Sequence, residues 1–439
     1  MKSTIKMLGI ALAASTILAA GTAQAQREDG SYGPKTTGMQ PRGEQAQKEE
    51  KAPKGTATVT LGDKKIKISA AFAKVYDELI KAVEAKDAAT VPAKVAAANA
   101  AAQTKEERYL VGQAQLKAGL AANDNAEIAT ALEALLGTGM LDEKTQANFN
   151  VALGKARFNL KQYPQAIAAY EKAQQIDPNT PEVVDLLVQA RAAGGSPDQA
   201  VATLRQAIAA KSANGAKAPE DLYRRAISVA YKAKLATTPE LSRQWVAAYP
   251  TPGNWRDSIG IYRNLNTVDE VGTLDLSRLM RAAKAMKDDG DYDRYAYLAI
   301  TKGFPGEAKA VLEEGAAAGV VDLTKTPFKE EIAQAKLKSA GEQAGLSASA
   351  TKGLNAPTAK VALSTGDLLY GYGEYAKAAD LYRAALKKPG ADANLINLHL
   401  GMTLARAGDK AGATAALNAV IGPRAEIAKY WLIFVATAA

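Results

Sequence analysis

The stretch "KQYPQAIAAYEKAQQIDP", Lys161 to Pro178, decides how the rest of the chain is read. An ordinary amphipathic helix needs only an apolar stripe at three- and four-residue intervals. This stretch has more: Ala166 and Ala173 are small, Tyr163 and Tyr170 flank the first of them, and Pro178 closes the segment. Counting back, a unit begins at Ala147, "ANFNVALGKARFNLKQYPQAIAAYEKAQQIDPNT". Leu153-Gly154, Ala166, Tyr170, Ala173 and Pro178 then fall at positions 7–8, 20, 24, 27 and 32 of a 34-residue frame. Each position has a mechanical job. Gly154 and Ala166 are the small residues that let two antiparallel helices approach, because larger side chains would push the axes apart. Tyr170 fills the space they leave, Ala173 admits the next unit, and Pro178 stops the second helix.

The frame recurs. Shifted by one unit, Ala200, Leu204 and Ala207 reappear in "DQAVATLRQAI" behind a Gly194-Gly195 turn, without the small residue at position 8 or the closing proline. Near the C-terminus, "GDLLYGYGEYAKAADLYRAALKKP" supplies Gly366, Gly373, Tyr375, Ala378, Tyr382 and Ala385 at matching positions, and "GMTLARAGDKAGATAAL" follows with Gly401, Gly408 and Ala413. This pattern resembles the tetratricopeptide repeat family. The resemblance implies an all-α fold, an α-solenoid of antiparallel helix pairs in a right-handed superhelix, whose concave face takes a protein or peptide partner. The groove positions it implies are Asn148, Val151, Lys155 and Phe158 in one unit and Lys360, Leu363, Asp367 and Tyr370 in another. The Lys and Asn that clamp a carboxylate in some members are replaced here by Val151 and Lys155, which puts a clamp of that type in doubt.

Outside the repeats, "TATVTLGDKKIKIS" alternates Val59, Leu61, Ile66 and Ile68 about Gly62-Asp63 and predicts a small β-hairpin. From Ser69 onward, helical periodicity with short Gly, Asn, Asp or Pro breaks covers the chain. Lys211–Pro219 and Gln343–Thr358 read as linkers. The expected division is a leader at 1–25, a disordered tether at 26–56, a helical repeat region at 57–216, drifted repeats at 217–345, and C-terminal repeats with an apolar closing helix at 346–439. In the drifted region, Gly290-x-Tyr292 reads as a turn and Ala308 and Leu312 as a helix.

The chain opens "MKSTIKMLGIALAASTILAAGTAQAQ". Lys2 and Lys6, a short apolar run and Ala23-Gln24-Ala25 predict an export signal cleaved after Ala25, and hence a periplasmic address. Cysteine is absent and His399 is the single histidine, which excludes thiol chemistry, Cys-ligated zinc and any histidine pair. The net charge of +9 is spread over 439 residues with no Lys/Arg run interleaved with aromatics, so no nucleic-acid partner is expected.

"GYGEYA" (Gly371–Ala376) imitates part of a phosphate loop but lacks the preceding strand, and "DDGDYD" (Asp288–Asp293) places Gly290 wrongly for a calcium loop. No cofactor, metal or catalytic residue is expected. A lytic-transglycosylase-like enzyme would need a Glu-Ser dipeptide, which the chain lacks. The reading is a non-catalytic scaffold. The alternative is an accessory protein that binds peptidoglycan or polysaccharide through Trp245, Trp255 and Tyr262. The C-terminal "EIAKYWLIFVATAA" is apolar all round and too short to span a bilayer. It predicts either a tucked closing helix or a site of self-association or membrane-surface docking.

Overall fold

The computed structural model describes residues 56–61, 64–178, 180 and 182–438. The expected leader, nearly all of the tether and the Gly62-Asp63 turn lie outside the described residues. The chain divides into two compact units, 1–199 and 200–439, and neither expected boundary, at 216 or at 345, coincides with that division.

The N-terminal unit opens with β1 (Thr56–Leu61) paired antiparallel to β2 (Lys64–Ser69), Val59 opposite Ile66. Seven helices follow: α1 (Ala70–Glu84), α2 (Val91–Ala101), α3 (Lys105–Ala122), α4 (Asn125–Gly137), α5 (Glu143–Asn159), α6 (Tyr163–Ile176) and α7 (Val183–Ala193). Ser69 ends the strand and caps α1, its hydroxyl accepting from the Phe72 amide at 3.2 Å. Thr104 and Glu107 form a reciprocal capping box on α3. The same Glu107 carboxylate accepts from the Ser69 amide at 2.8 Å, which ties the hairpin to α3. From α3 to α7 each helix packs on the next in chain order.

The C-terminal unit starts within α8 (Pro197–Ser212). It continues through α9 (Glu220–Lys232), α10 (Thr238–Ala248), α11 (Pro252–Leu265), α12 (Glu270–Ala282), α13 (Asp289–Thr301) and α14 (Pro305–Ala317). Then come α15 (Phe328–Ser339), α16 (Glu342–Asn355), α17 (Ala359–Gly371), α18 (Tyr375–Ala385), α19 (Ala393–Ala407) and α20 (Lys410–Asn418). A 3-10 turn at Gly422–Arg424 leads into the last helix, α21 (Ala425–Thr437). Asp269, Asp288, Asp392 and Asp409 cap α12, α13, α19 and α20, each side chain accepting from a first-turn amide. Antiparallel pairs such as α13/α14, α17/α18 and α19/α20 repeat along the unit. The fold is all-α with a small N-terminal hairpin, built from successive helix pairs.

Two local expectations are corrected. Gln343–Thr358, expected as a linker, is mostly helix α16. Its Gly and Ser content is a poor helix former, but Leu346 and Gly353 are buried against the unit's core, and tertiary packing decides helicity in such cases. The Gly290-x-Tyr292 turn lies instead within the first turn of α13, behind the Asp288 cap.

The closing helix α21 does more than finish the row. It packs on α20 and α19 and also returns to α10 and α12. Tyr430 donates to the Ser258 carbonyl on α11 at 3.1 Å, Phe434 meets the Trp255 ring edge-on at 6.4 Å, and Glu426 pairs with Arg243 on α10. Tyr430 and Trp431 are both fully buried. A helix covered on several sides reads as apolar all round, so the apolar sequence is accounted for within the chain. No helix among the described residues is long and apolar enough to cross a membrane.

Candidate functional site

The repeat geometry is visible as contacts between small and large residues. A Cβ added at Gly154 would sit 2.3 Å from the Tyr170 ring, one added at Gly366 would sit 2.7 Å from Tyr382, and one at Gly401 would sit 2.4 Å from Leu417. The sequence separation is the same in all three pairs. Ala166, Tyr170, Ala173, Ala378, Tyr382, Ala385 and Ala413 are fully buried at these seams, with Leu153 beside them. Ala200 and Leu204 are buried in α8, whereas Ala207 is half-buried. Pro178 lies exposed in the turn after α6.

The groove positions separate into two groups. Asn148 and Lys360 are exposed, and Lys155, Phe158 and Leu363 are half-buried. Lys155 pairs with Glu182 at 2.8 Å, and Phe158 meets Tyr163 edge-on at 5.5 Å. Val151, Asp367 and Tyr370 are instead buried, which corrects the expectation that they face a partner. Val151 belongs to the cluster around Tyr170 and Leu187. Asp367 and Tyr370 are covered because α12, α14 and α19 lie against that face of α17.

A concave feature of the C-terminal unit lies elsewhere, on α9, α11 and α13. It is an open hollow of about 770 Å³, within the size range of ligand sites. Helical spacing brings Arg224, Ser228 and Tyr231 to one face of α9, and Arg256, Gly260 and Arg263 to one face of α11. Nothing lies within 4 Å of where a Gly260 Cβ would stand, so the floor there is bare backbone. The Arg224 guanidinium lies over the Trp245 ring at 5.1 Å, and Arg256 pairs with Asp288 and, at 3.1 Å, with Asp291. Arg263, Arg294 and Lys232 also line the hollow. Burial and then the neighbouring Arg294 charge pull the Arg263 pKa below the ordinary arginine value, with Asp291 opposing. The sequence reading missed this site, because its lining comes from several helices that only the fold brings together.

Residues 147–180, helices α5 and α6 with the turn after them, match the family described as Tetratricopeptide repeat. The chain carries a tetratricopeptide repeat. No curated protein matches the sequence. Among solved structures, the chain is similar to one titled "Structure of Naa15/Naa10 bound to HypK-THB", at 12% identity over 80% of this chain and 68% of that one, with a TM-score of 0.20.

Where the tetratricopeptide repeat of α5/α6 has an apolar interior, the α17/α18 pair encloses charge. Arg278 on α12, 2% exposed, donates to both Glu307 oxygens on α14 at 2.9 and 2.8 Å and to Asp275 at 3.3 Å. Tyr295 donates to the same Glu307 at 2.7 Å, and Tyr382 donates to Asp367 at 2.7 Å. The Nδ1 of His399 lies 2.6 Å from an Asp367 oxygen, an ion-pair distance off the line of a good hydrogen bond, and Nε2 faces Asp275 at 3.2 Å. Burial alone would depress the His399 pKa, but Asp367 and Asp275 outweigh it and raise it to about 10. The imidazole is therefore a buried cation at neutral pH. Among the described residues, no group of three or more His, Asp or Glu is arranged to hold a metal. This network ties α12, α13, α14, α17, α18 and α19 together, and every member is buried.

Proposed function

We propose that the protein is a non-catalytic scaffold that binds other proteins through the surfaces of its helix pairs, acting in the bacterial cell envelope after export to the periplasm. The observation that carries the reading is the tetratricopeptide repeat at 147–180, a unit whose stacking creates extended surfaces suited to protein partners. The export signal read at 1–25 supports the address. The polymer-binding alternative loses its support, because Trp245, Trp255 and Tyr262 are 3%, 2% and 5% exposed and serve as core. Trp245 donates its indole N–H to Glu220 at 3.0 Å rather than offering a stacking platform.

Chemical cross-linking of the full chain in an envelope extract, read by mass spectrometry, tests the binding role. The expected result is a discrete protein partner joined at a defined surface. Sedimentation with cell-wall polymer and no protein cross-link would overturn it. Mass analysis of the exported chain tests the address: it should begin at Gln26, and retention of Met1–Ala25 would contradict export.

A further inference from the structure

We infer that the hollow on α9, α11 and α13 is a docking site for an acidic, partly apolar segment of a partner protein, held by Arg263 and Arg294. The inference rests on the scaffold reading and names the partner's chemistry. Its first support is charge. Five cationic side chains line the hollow against two aspartates, Asp257 and Asp291, and the second aspartate already accepts from Arg256. Arg224 likewise has Glu220, its Nε donating at 3.1 Å. Arg263, Arg294 and Lys232 make no ion pair or hydrogen bond among the described residues. The half-buried Arg263 and the exposed Arg294 repel each other, and Asp291, which opposes that repulsion, is already bonded to Arg256, so their arrangement favours an anion from outside.

Shape selects among anions. A hollow of about 770 Å³ is far larger than one phosphate and is concave rather than flat, which suits a chain segment better than a bilayer surface. Ile227, Tyr231 and Ile261 line the hollow together with the cations, and Tyr231 is 40% exposed. A lining that mixes apolar side chains with guanidinium groups suits a segment that carries both carboxylates and apolar side chains. The bare backbone at Gly260 lets such a chain approach closely.

The test uses the full chain and a fluorescein-labelled peptide of alternating Glu and Leu, with binding followed by anisotropy. The peptide should bind, weaken as salt is raised, and lose affinity about tenfold or more in the Arg263→Gln/Arg294→Gln double variant, since charge-assisted pairs carry such a contact. The exposed Arg294→Gln single variant, which leaves the half-buried position intact, should also weaken binding. A peptide with Gln in place of Glu should not bind. Failure of the acidic peptide to bind, or binding that is indifferent to both variants, overturns the inference. So does arginine-dependent binding of anionic phospholipid vesicles or pyrophosphate in preference to the peptide. If the double variant still cross-links its partner from extract, the hollow is not the docking site while the scaffold reading stands. If even the unaltered chain captures no protein, the scaffold reading itself fails.

Discussion

The α5/α6 pair and the α17/α18 pair share one seam, glycine against tyrosine, yet they are held in different ways. At Gly154 the Tyr170 ring enters a cluster that includes Val151, Ala166, Ala173, Val183 and Leu187. At Gly366 the Tyr382 ring does the same steric work, but its hydroxyl donates to Asp367, which faces a protonated His399. The first pair touches neighbours in the row. The second belongs to a network that joins helices far apart in sequence, and the same unit is closed by α21 returning to α10–α12. Small-against-large packing is therefore enough to build a helix pair, while long-range polar ties decide whether many pairs behave as one body.

The largest expected effect breaks those ties. Arg278→Met leaves Glu307 buried without its cation, and removing one member of such a pair costs about 3–5 kcal/mol. Urea unfolding should show the loss in the C-terminal unit, and adding Glu307→Leu should restore part of it. A pH series attacks the same network with the guanidinium left in place. The folded pKa of His399 lies near 10, above the usual 6.5. Its stabilisation is therefore fully present below 6.5 and is lost as pH rises through about 10. Tyr295 and Tyr382, pushed well above the ordinary phenol range chiefly by burial, stay neutral over that window. Urea midpoints should fall with rising pH for the C-terminal unit more than for the N-terminal one.

Smaller effects test the seam. Gly154→Ala puts a methyl into the Tyr170 ring. Over-packing costs about 1–3 kcal/mol, offset by roughly 1 kcal/mol of helix propensity. Combining it with Tyr170→Leu should cost less than the two changes summed. Smallest is the turn between paired helices. Lys161 sits at φ +59° in the first repeat where Gly373 sits at φ +78° in the later one. Lys161→Gly should gain about 1 kcal/mol, the order of the left-handed penalty for a residue with a Cβ, read as a higher melting temperature.

The seam was legible because it is local: Gly154, Ala166, Tyr170 and Ala173 lie within one unit and their sizes state their contacts. The hairpin was legible from the alternation of Val59, Leu61, Ile66 and Ile68. The charge network was not, since Asp275 and Arg278 on α12 and Glu307 on α14 carry no local sign of burial until α17 and α19 are known to cover them. For the same reason Asp367 and Tyr370 were placed in a groove. The arginine hollow needs α9, α11 and α13 side by side, which spacing along any one helix does not reveal. The return of α21 is the longest-range feature, and its apolar sequence announced burial without saying against what.

The central claim is that the C-terminal unit is tied across its core while helices α3 to α7 of the N-terminal unit are tied mainly neighbour to neighbour. Native-state hydrogen exchange of the full chain in rising urea tests it most directly. The account predicts that peptides from α10–α14 and α17–α21 merge into one opening free energy, while those from α3 to α7 open with a graded series. A graded series in the C-terminal unit too, with α21 opening alone and α10–α12 unaffected, would contradict it.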